Sequence, residues 1–420
     1  MTSNKTLLFT LAGACALPLS LSAQASELQI YGTFLPFVDH VKTSGATAPG
    51  LSPANGGATQ VAASAYTGDL GNLPARNRIT SGTSNLGFRG SYKVSEDLKI
   101  IWQIESAVSP DGDAPNSLTS RNSALGLEGS WGRVFFGNWD TPYKYPLLFV
   151  GALRGLNPFD NALTANPGFN VPGTTTQNGR ANTSADAAFN RRQGNSIQYW
   201  SPVVNGFSGR IAYSVNEGKN TATTTLPSVS PDLWSALLSY KAGAFNISYG
   251  FERHNDYFGL AQLGGSAGAT ATNTGSKDVG HELVASYGFS TGTKVSAIVE
   301  RLSYDSDDTV VGKVNHYERD AWYVLVQQRW GAHQLFGAYG KANAGSATLV
   351  GGGPVTTNGL GGAQWSAGYT YSLTKTADLY TSVYGMTNER SATYALFPPV
   401  GRVAPGASTT GFGLGILYTF

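Results

Sequence analysis

The chain predicts an all-β fold, a transmembrane antiparallel β-barrel of about sixteen strands, on three observations. From Glu27 onward, apolar and polar residues alternate with period two, the signature of a strand with one apolar face. The connectors between such stretches alternate short and long, as they do when one end of a barrel carries tight turns and the other long loops. The composition is also unusual. Only 13% of residues are charged, against about 25% in soluble domains, and glycine reaches 53 of 420 residues.

The first 25 residues read as a secretory signal. Lys5 precedes an apolar stretch from Leu7 to Leu21, and Ala23-Gln24-Ala25 is an A-x-A cleavage site. An acylated Cys15 would cut that stretch in half and lacks the usual leucine three residues before it. Cleavage after Ala25 removes Cys15, the only cysteine, so an exported chain of residues 26–420 forms one barrel domain without disulfides.

The candidate strands then follow in order. Residues 28–39 open the barrel. Hairpins 84–94/98–108 and 123–130/133–139 follow, turning at Ser95-Glu96-Asp97 and Trp131-Gly132. Next come 194–201/207–216 and 232–241/244–253, the latter setting Phe245, Ile247, Tyr249 and Phe251 against Asn246, Ser248, Gly250 and Glu252. Hairpins 279–289/293–303 and 319–330/333–341 turn at Thr291-Gly292 and Gly331-Ala332. In 364–372, Trp365, Ala367, Tyr369 and Tyr371 share one face, and 377–387 is its partner. The last strand, 411–420, places Phe412, Leu414, Ile416, Tyr418 and Phe420 on one face. Long polar connectors separate the hairpins: 40–83, 109–122, 140–193, 217–231, 254–278, 304–318, 342–363 and 388–410. Each strand approaches the roughly 9–11 residues needed to cross a bilayer, and an open sheet would leave unpaired edges in lipid. A soluble β-sandwich gives no reason for the alternation of connector lengths. Trp322 and Trp330 share a face eight residues apart, a spacing close to the interfacial aromatic girdles of such barrels.

The same residues exclude several chemistries. No apolar run outside the N-terminus approaches the roughly 18 residues of a membrane helix. A net charge of +2 disfavours nucleic-acid binding. His40, His254, His281, His316 and His333 are dispersed, without metal-ligand spacing, and Asp305-Ser306-Asp307-Asp308 lacks the glycine and terminal glutamate of an EF-hand loop. No G-x-S-x-G, H-E-x-x-H or P-loop motif points to an enzyme. No cofactor or metal is expected.

Several segments carry a more specific resemblance. They are Leu28-Gln29-Ile30-Tyr31-Gly32, Ser84-Asn85-Leu86-Gly87-Phe88-Arg89-Gly90 leading to Glu96-Asp97-Leu98, and Gln103-Ile104-Glu105. Arg121-Asn122-Ser123 with Gly126-Leu127-Glu128-Gly129, Asn195-Ser196-Ile197-Gln198-Tyr199 with Ser201-Pro202, and the terminal Tyr418-Thr419-Phe420 complete the set. Together they resemble the general bacterial porins, the trimeric sixteen-stranded channels of the Gram-negative outer membrane.

The resemblance implies passive diffusion of small hydrophilic solutes and ions, and a homotrimer embedded among outer-membrane lipid and lipopolysaccharide. It also implies delivery by the barrel assembly machinery through a C-terminal signal matching Tyr418 and Phe420. In that family the third long loop folds inward and narrows the lumen; here it matches 140–193. That loop carries Lys144, Arg154, Arg180, Arg191 and Arg192 against Asp140, Asp160 and Asp186. Strand parity places Arg89 and Lys93 inward, with Lys99 and Arg210 on corresponding faces. Arg89 and Arg121 match the family's constriction arginines best, and Glu105 is the main opposing acid. Gly137-Asn138-Trp139 departs from the Gly-Arg of many relatives and removes one expected positive charge. The candidate selectivity set is therefore Arg89, Lys93, Glu105, Arg121, Arg154, Asp160, Asp186, Arg191 and Arg192, with a modest anion preference. Loop aromatics such as Trp139, Tyr143, Tyr145, Phe149, Phe159 and Phe169 fit a second reading, a channel specific for a sugar or an aromatic acid. A non-conducting surface adhesin is a third.

Overall fold

The computed structural model describes residues 27–46, 51–52, 59–60, 75–112, 118–146, 150, 163–169, 187–189, 191–215, 219, 221–223, 228–263, 273–396 and 403–420. The signal segment 1–25 lies outside them. Alternating sequence becomes strand throughout. The first strand, β1, runs Glu27–Phe34 and resumes as Phe37–Ser44, and β2 runs Arg76–Thr80 and Asn85–Lys93. Then come β3 (Lys99–Ala107), β4 (Ser123–Gly129), β5 (Gly132–Asp140), β6 (Arg192–Trp200), β7 (Phe207–Val215) and β8 (Asp232–Ala242). They are followed by β9 (Phe245–Asn255), β10 (Ser276–Gly288), β11 (Thr293–Ser306) and β12 (Val314–Trp330). The last are β13 (His333–Ala342), β14 (Gly362–Ser372), β15 (Ala377–Asn388) and β16 (Ser408–Thr419).

Each strand pairs antiparallel with its sequence neighbour, and β16 returns to β1 in the register Ser44↔Ser408 to Thr33↔Thr419. The sheet closes on itself, so no edge is left unpaired in an apolar medium. Closure is fastened at the turn end. Phe420 exchanges two backbone hydrogen bonds with Gly32, at 3.1 and 3.2 Å. Its ring stacks beside Phe34 and Tyr418 and fills the space that a Cβ on Gly32 would need, 2.6 Å away.

All sixteen expected strands form, but several run further toward the long-loop end than the alternation indicates. β1 reaches Ser44 rather than 39, β2 begins at Arg76 rather than 84, and β12 begins at Val314 rather than 319. These extensions carry Lys42, Thr43, Arg76, Asn77, Arg78 and Glu318. Above the apolar band the outer face meets water, so no hydrophobic period marks the pairing there. β1 is interrupted at Leu35-Pro36, where proline cannot donate to a ladder. β2 is interrupted opposite it at 81–84, where Gly82 takes φ +57°. The connector between β13 and β14 also contains a short strand, Ser346–Leu349, added to the tip of β12. Among the described residues helix is confined to short 3-10 segments, Gly259–Gln262 and Tyr145-Pro146.

The outward face carries Leu28, Ile30, Val38, Leu125, Phe136, Ile211, Leu283, Val299, Leu335 and Leu414, all exposed. This is the lipid-facing band. Trp322 and Trp330 are both on it, and Tyr199, Tyr287, Phe289, Tyr371 and Tyr418 ring its turn end.

Candidate functional site

The inner face of the barrel is polar, and it divides into two walls. The first runs over β1 to β7. Tyr31, Gly87 and Glu105 form one row across three strands. A Cβ on Gly87 would lie 2.3 Å from the Tyr31 ring, so glycine there lets the tyrosine lie flat across β2. Its hydroxyl donates to Glu105 Oε2 at 2.9 Å, and Arg121 Nε donates to Glu105 Oε1 at 2.5 Å. Arg89 lies one row nearer the turns. Its guanidinium stands 4.9 Å over the Tyr31 ring, and Nε donates to Gln29 Oε1 at 2.9 Å. Lys93 faces Lys99 at the foot of the β2–β3 hairpin, and both are exposed.

Further ion pairs line the long-loop end of this wall. Arg78 Nη2 meets Asp39 Oδ2 at 2.6 Å, and Tyr384 donates to the same oxygen at 2.5 Å. Asp140, closing β5, is held by Lys144 at 3.1 Å, Arg192 at 3.2 Å and Asn122 Nδ2 at 2.8 Å. Asn138 donates to the carbonyls of Thr119 and Arg121 and so fastens the 118–122 segment.

The second wall, β8 to β12, is acidic and covered. Glu252, His254, Asp278, Glu282, Glu300 and Arg319 all point inward and are at most 4% exposed. They are covered by the connector between β5 and β6 together with the segment after β9, where Tyr257 stacks on His254 at 4.8 Å and Gly259 lies against Asp278. Tyr143 donates its hydroxyl to Glu300 at 2.8 Å and its backbone N–H to Ser235 at 3.0 Å. Phe189 stacks on His254 at 4.5 Å, seated over Gly280, where a Cβ would come within 2.6 Å of its ring. Phe169 packs edge-on against Tyr304 and Tyr317. Arg319 joins the two layers. Its Nη1 meets Glu300 Oε2 at 2.9 Å, and its Nη2 donates to the carbonyls of Leu163 at 3.0 Å and Asn166 at 2.6 Å.

Burial first, then Glu300 and Glu282, pushes the Tyr143 phenol well above its ordinary value, so it remains a hydrogen-bond donor. Burial likewise pushes Tyr257 up to about 12, against the opposing pull of Arg191, whose guanidinium stands 5.1 Å over its ring.

The structure thus brings Glu105 and Arg121 into contact, with Arg89 beside them and Lys93 further down the same face. Arg192 joins Asp140, and Arg191 is enclosed at 4% exposed rather than lining open space. Arg154, Arg180, Asp160 and Asp186 lie outside the described residues. The covered wall is not among the residues singled out from sequence. Strand parity alone sets Glu252, Glu282 and Glu300 inward, but nothing local signals that a distant segment lies over them. Arg133 and Trp200, which meet at 5.3 Å on the first wall, are also absent from that set. The acidic turn at 305–308 is engaged by protein donors: Asp307 accepts from the backbone of Thr274 and Gly275 in the preceding connector, and Asp308 from Val310.

Comparisons with known proteins agree with this architecture. The family model described as Gram-negative porin matches residues 10–391. A major outer membrane protein P.IA of Neisseria meningitidis is 30% identical over 56% of this chain, and the match spans 60% of that protein's length. Outer membrane porin protein 32 of Delftia acidovorans is 26% identical over 81% of this chain and 86% of its own. Among solved structures, the anion-selective porin from Comamonas acidovorans superposes with a TM-score of 0.65 at 19% identity, covering 94% of this chain and all of that one. The OmpT protein of Vibrio cholerae gives 0.58 at 14% identity, covering 94% of this chain and all of that one. With a closed sixteen-strand barrel, an apolar outer band and a polar inner face, the chain belongs to the Gram-negative porin family.

Proposed function

We propose that the chain is an outer-membrane channel for passive diffusion of small hydrophilic solutes and ions, with a preference for anions. The observation that carries the preference is the contrast between the two walls. Inward carboxylates of β9 to β11 are buried under the β5–β6 connector and the segment after β9, while inward Arg89, Lys93, Lys99 and Arg133 remain exposed to the lumen. A solute in the lumen therefore meets more uncovered positive than negative charge. In a narrow, low-dielectric passage that charge is less screened than in bulk water. The Comamonas neighbour, described as anion-selective, agrees with this reading.

In this proposal connector 140–193 narrows the pore. Arg89, Lys93, Glu105, Arg121 and Arg192 face the narrowed passage, and Arg191 braces the connector. Arg154, Asp160 and Asp186 add charge from the connector itself. Residues 1–25 direct export, residues 26–420 form one barrel, and Tyr418 with Phe420 present the assembly signal. Three copies assemble, as in the trimer form of the Vibrio OmpT structure. The test is the reversal potential across a planar bilayer under a KCl gradient. The expected sign is that of chloride selectivity; a potassium-selective channel overturns the charge assignment.

A further inference from the structure

A feature of the first wall is not required by a polar water channel. Aromatic rings cluster there on the inner face. Trp139 meets Phe135 at 4.9 Å and Trp200 at 6.0 Å, and Tyr145 meets Trp200 at 5.9 Å. Guanidinium groups lie on these rings. Arg210 sits between Tyr145, at 3.1 Å, and Trp200, at 3.8 Å, and Arg133 stands 5.3 Å over Trp200. Indole surface left partly exposed in a water-filled lumen gains nothing for the barrel, because the apolar demand of the fold is met on the lipid side.

Beside this cluster the wall is concave. A recess of about 370 Å³ opens between β2 and β5, lined among others by Arg89, Gln103, Glu128, Arg133, Phe135 and Trp139. Its volume falls at the lower end of the roughly 300–1,000 Å³ of small-molecule sites. Phe135 is its buried floor, and Trp139 gives it a half-buried aromatic side. Its charge is net positive. Glu128 is engaged by Arg133 at 3.1 Å and has Lys99 as its cross-strand partner. A guanidinium has five N–H donors, and the bond to Gln29 uses only the Nε–H of Arg89.

We propose that this recess is a binding subsite for small aromatic carboxylates. The carboxylate is taken by Arg89 and Arg133, and the ring lies against Trp139 and Phe135. An aliphatic acid satisfies only the charged half of the site, and a neutral aromatic only the other half. The proposal rests on the channel reading, since the solute reaches the recess through the lumen.

The test uses single channels of the full-length mature protein in a planar bilayer, with KCl carrying the current. Sodium benzoate, cyclohexanecarboxylate, acetate and benzyl alcohol are added in turn on the short-turn side. Benzoate is expected to interrupt the current at roughly tenfold lower concentration than acetate, the size of one aromatic contact added to an ionic one. Cyclohexanecarboxylate falls between them, and benzyl alcohol has no effect. Trp139→Leu and Arg133→Gln are each expected to raise the effective benzoate concentration roughly tenfold. Equal potency of benzoate and acetate on the unmodified channel overturns the subsite and leaves the channel standing. A benzoate preference that survives both substitutions overturns its location. A protein that inserts without any KCl conductance overturns the channel reading itself. Because the solute comparison is made on the unmodified protein, the result holds even where a variant does not assemble.

Discussion

The two inner walls of this barrel are built by one rule and end in opposite states. On β2 and β3 the inward residues Arg89, Lys93 and Lys99 stay exposed. On β9 to β12 the inward residues Glu252, Asp278, Glu282, Glu300 and Arg319 are at most 4% exposed, although the strand period is the same. The difference is the chain that lies on the acidic wall: the connector after β5, through Tyr143, Phe169 and Phe189, and the segment after β9, through Tyr257. Facing the lumen and acting on what passes through it are therefore separate properties. A formal charge count of +2 says little about selectivity when acids and bases are covered unequally.

The comparison breaks most directly at Arg319, the guanidinium that joins Glu300 to the carbonyls of Leu163 and Asn166. Arg319→Met strips a buried carboxylate of its cation, a change that costs about 3–5 kcal/mol when one partner of a buried pair is lost. The connector should detach, measured as a lower thermal midpoint in detergent together with faster proteolysis within 140–193. Adding Glu300→Gln should recover part of the loss. An unchanged midpoint and an unchanged cleavage rate would mean that the two layers are held by something else.

Selectivity tests the same contrast from the lumen. Arg121→Ala and Arg89→Ala should each move the chloride-to-potassium permeability ratio toward potassium by a factor of about two to five. The shift should be larger at 0.1 M than at 1 M salt, because the screening length falls from about 10 Å to about 3 Å. Glu282→Gln, on the covered wall, should move it less than either. A Glu282 shift equal to that of Arg89 would show that the covered wall is felt in the lumen after all.

Two smaller changes sharpen the picture. Tyr143→Phe removes one hydrogen bond to a carboxylate, worth about 1.5–3 kcal/mol, and should loosen the connector without releasing it. Limited proteolysis should rank it between the parent and Arg319→Met. Gly280→Ala crowds Phe189 against a covered wall and should cost about 1–3 kcal/mol in thermal stability. Gly87→Ala crowds Tyr31, which has open lumen to swing into, so its thermal cost should be smaller. Its effect should appear instead in the ion preference, because Glu105 loses a hydrogen-bond donor. Equal thermal costs for the two glycines would contradict the difference in covering.

The sequence by itself determined the barrel. A closed sheet in lipid requires one apolar face on every strand, and that period is written locally in runs such as Phe412, Leu414, Ile416 and Tyr418. Parity within a strand is equally local, so the inward placement of Arg89, Lys93 and Glu105 was legible from neighbouring residues. The tips of β1, β2 and β12 were not, because their few apolar residues, Val41, Ile79, Val314 and Tyr317, do not recur with period two and the outer face there meets water. Only the tertiary structure decided which inward charges are covered. The contact of Tyr143 with Glu300 and the stacking of Phe189 on His254 join residues from distant parts of the chain. No spacing rule operates across such separations: the match between an aromatic segment and an acidic wall exists only once the barrel has closed around both.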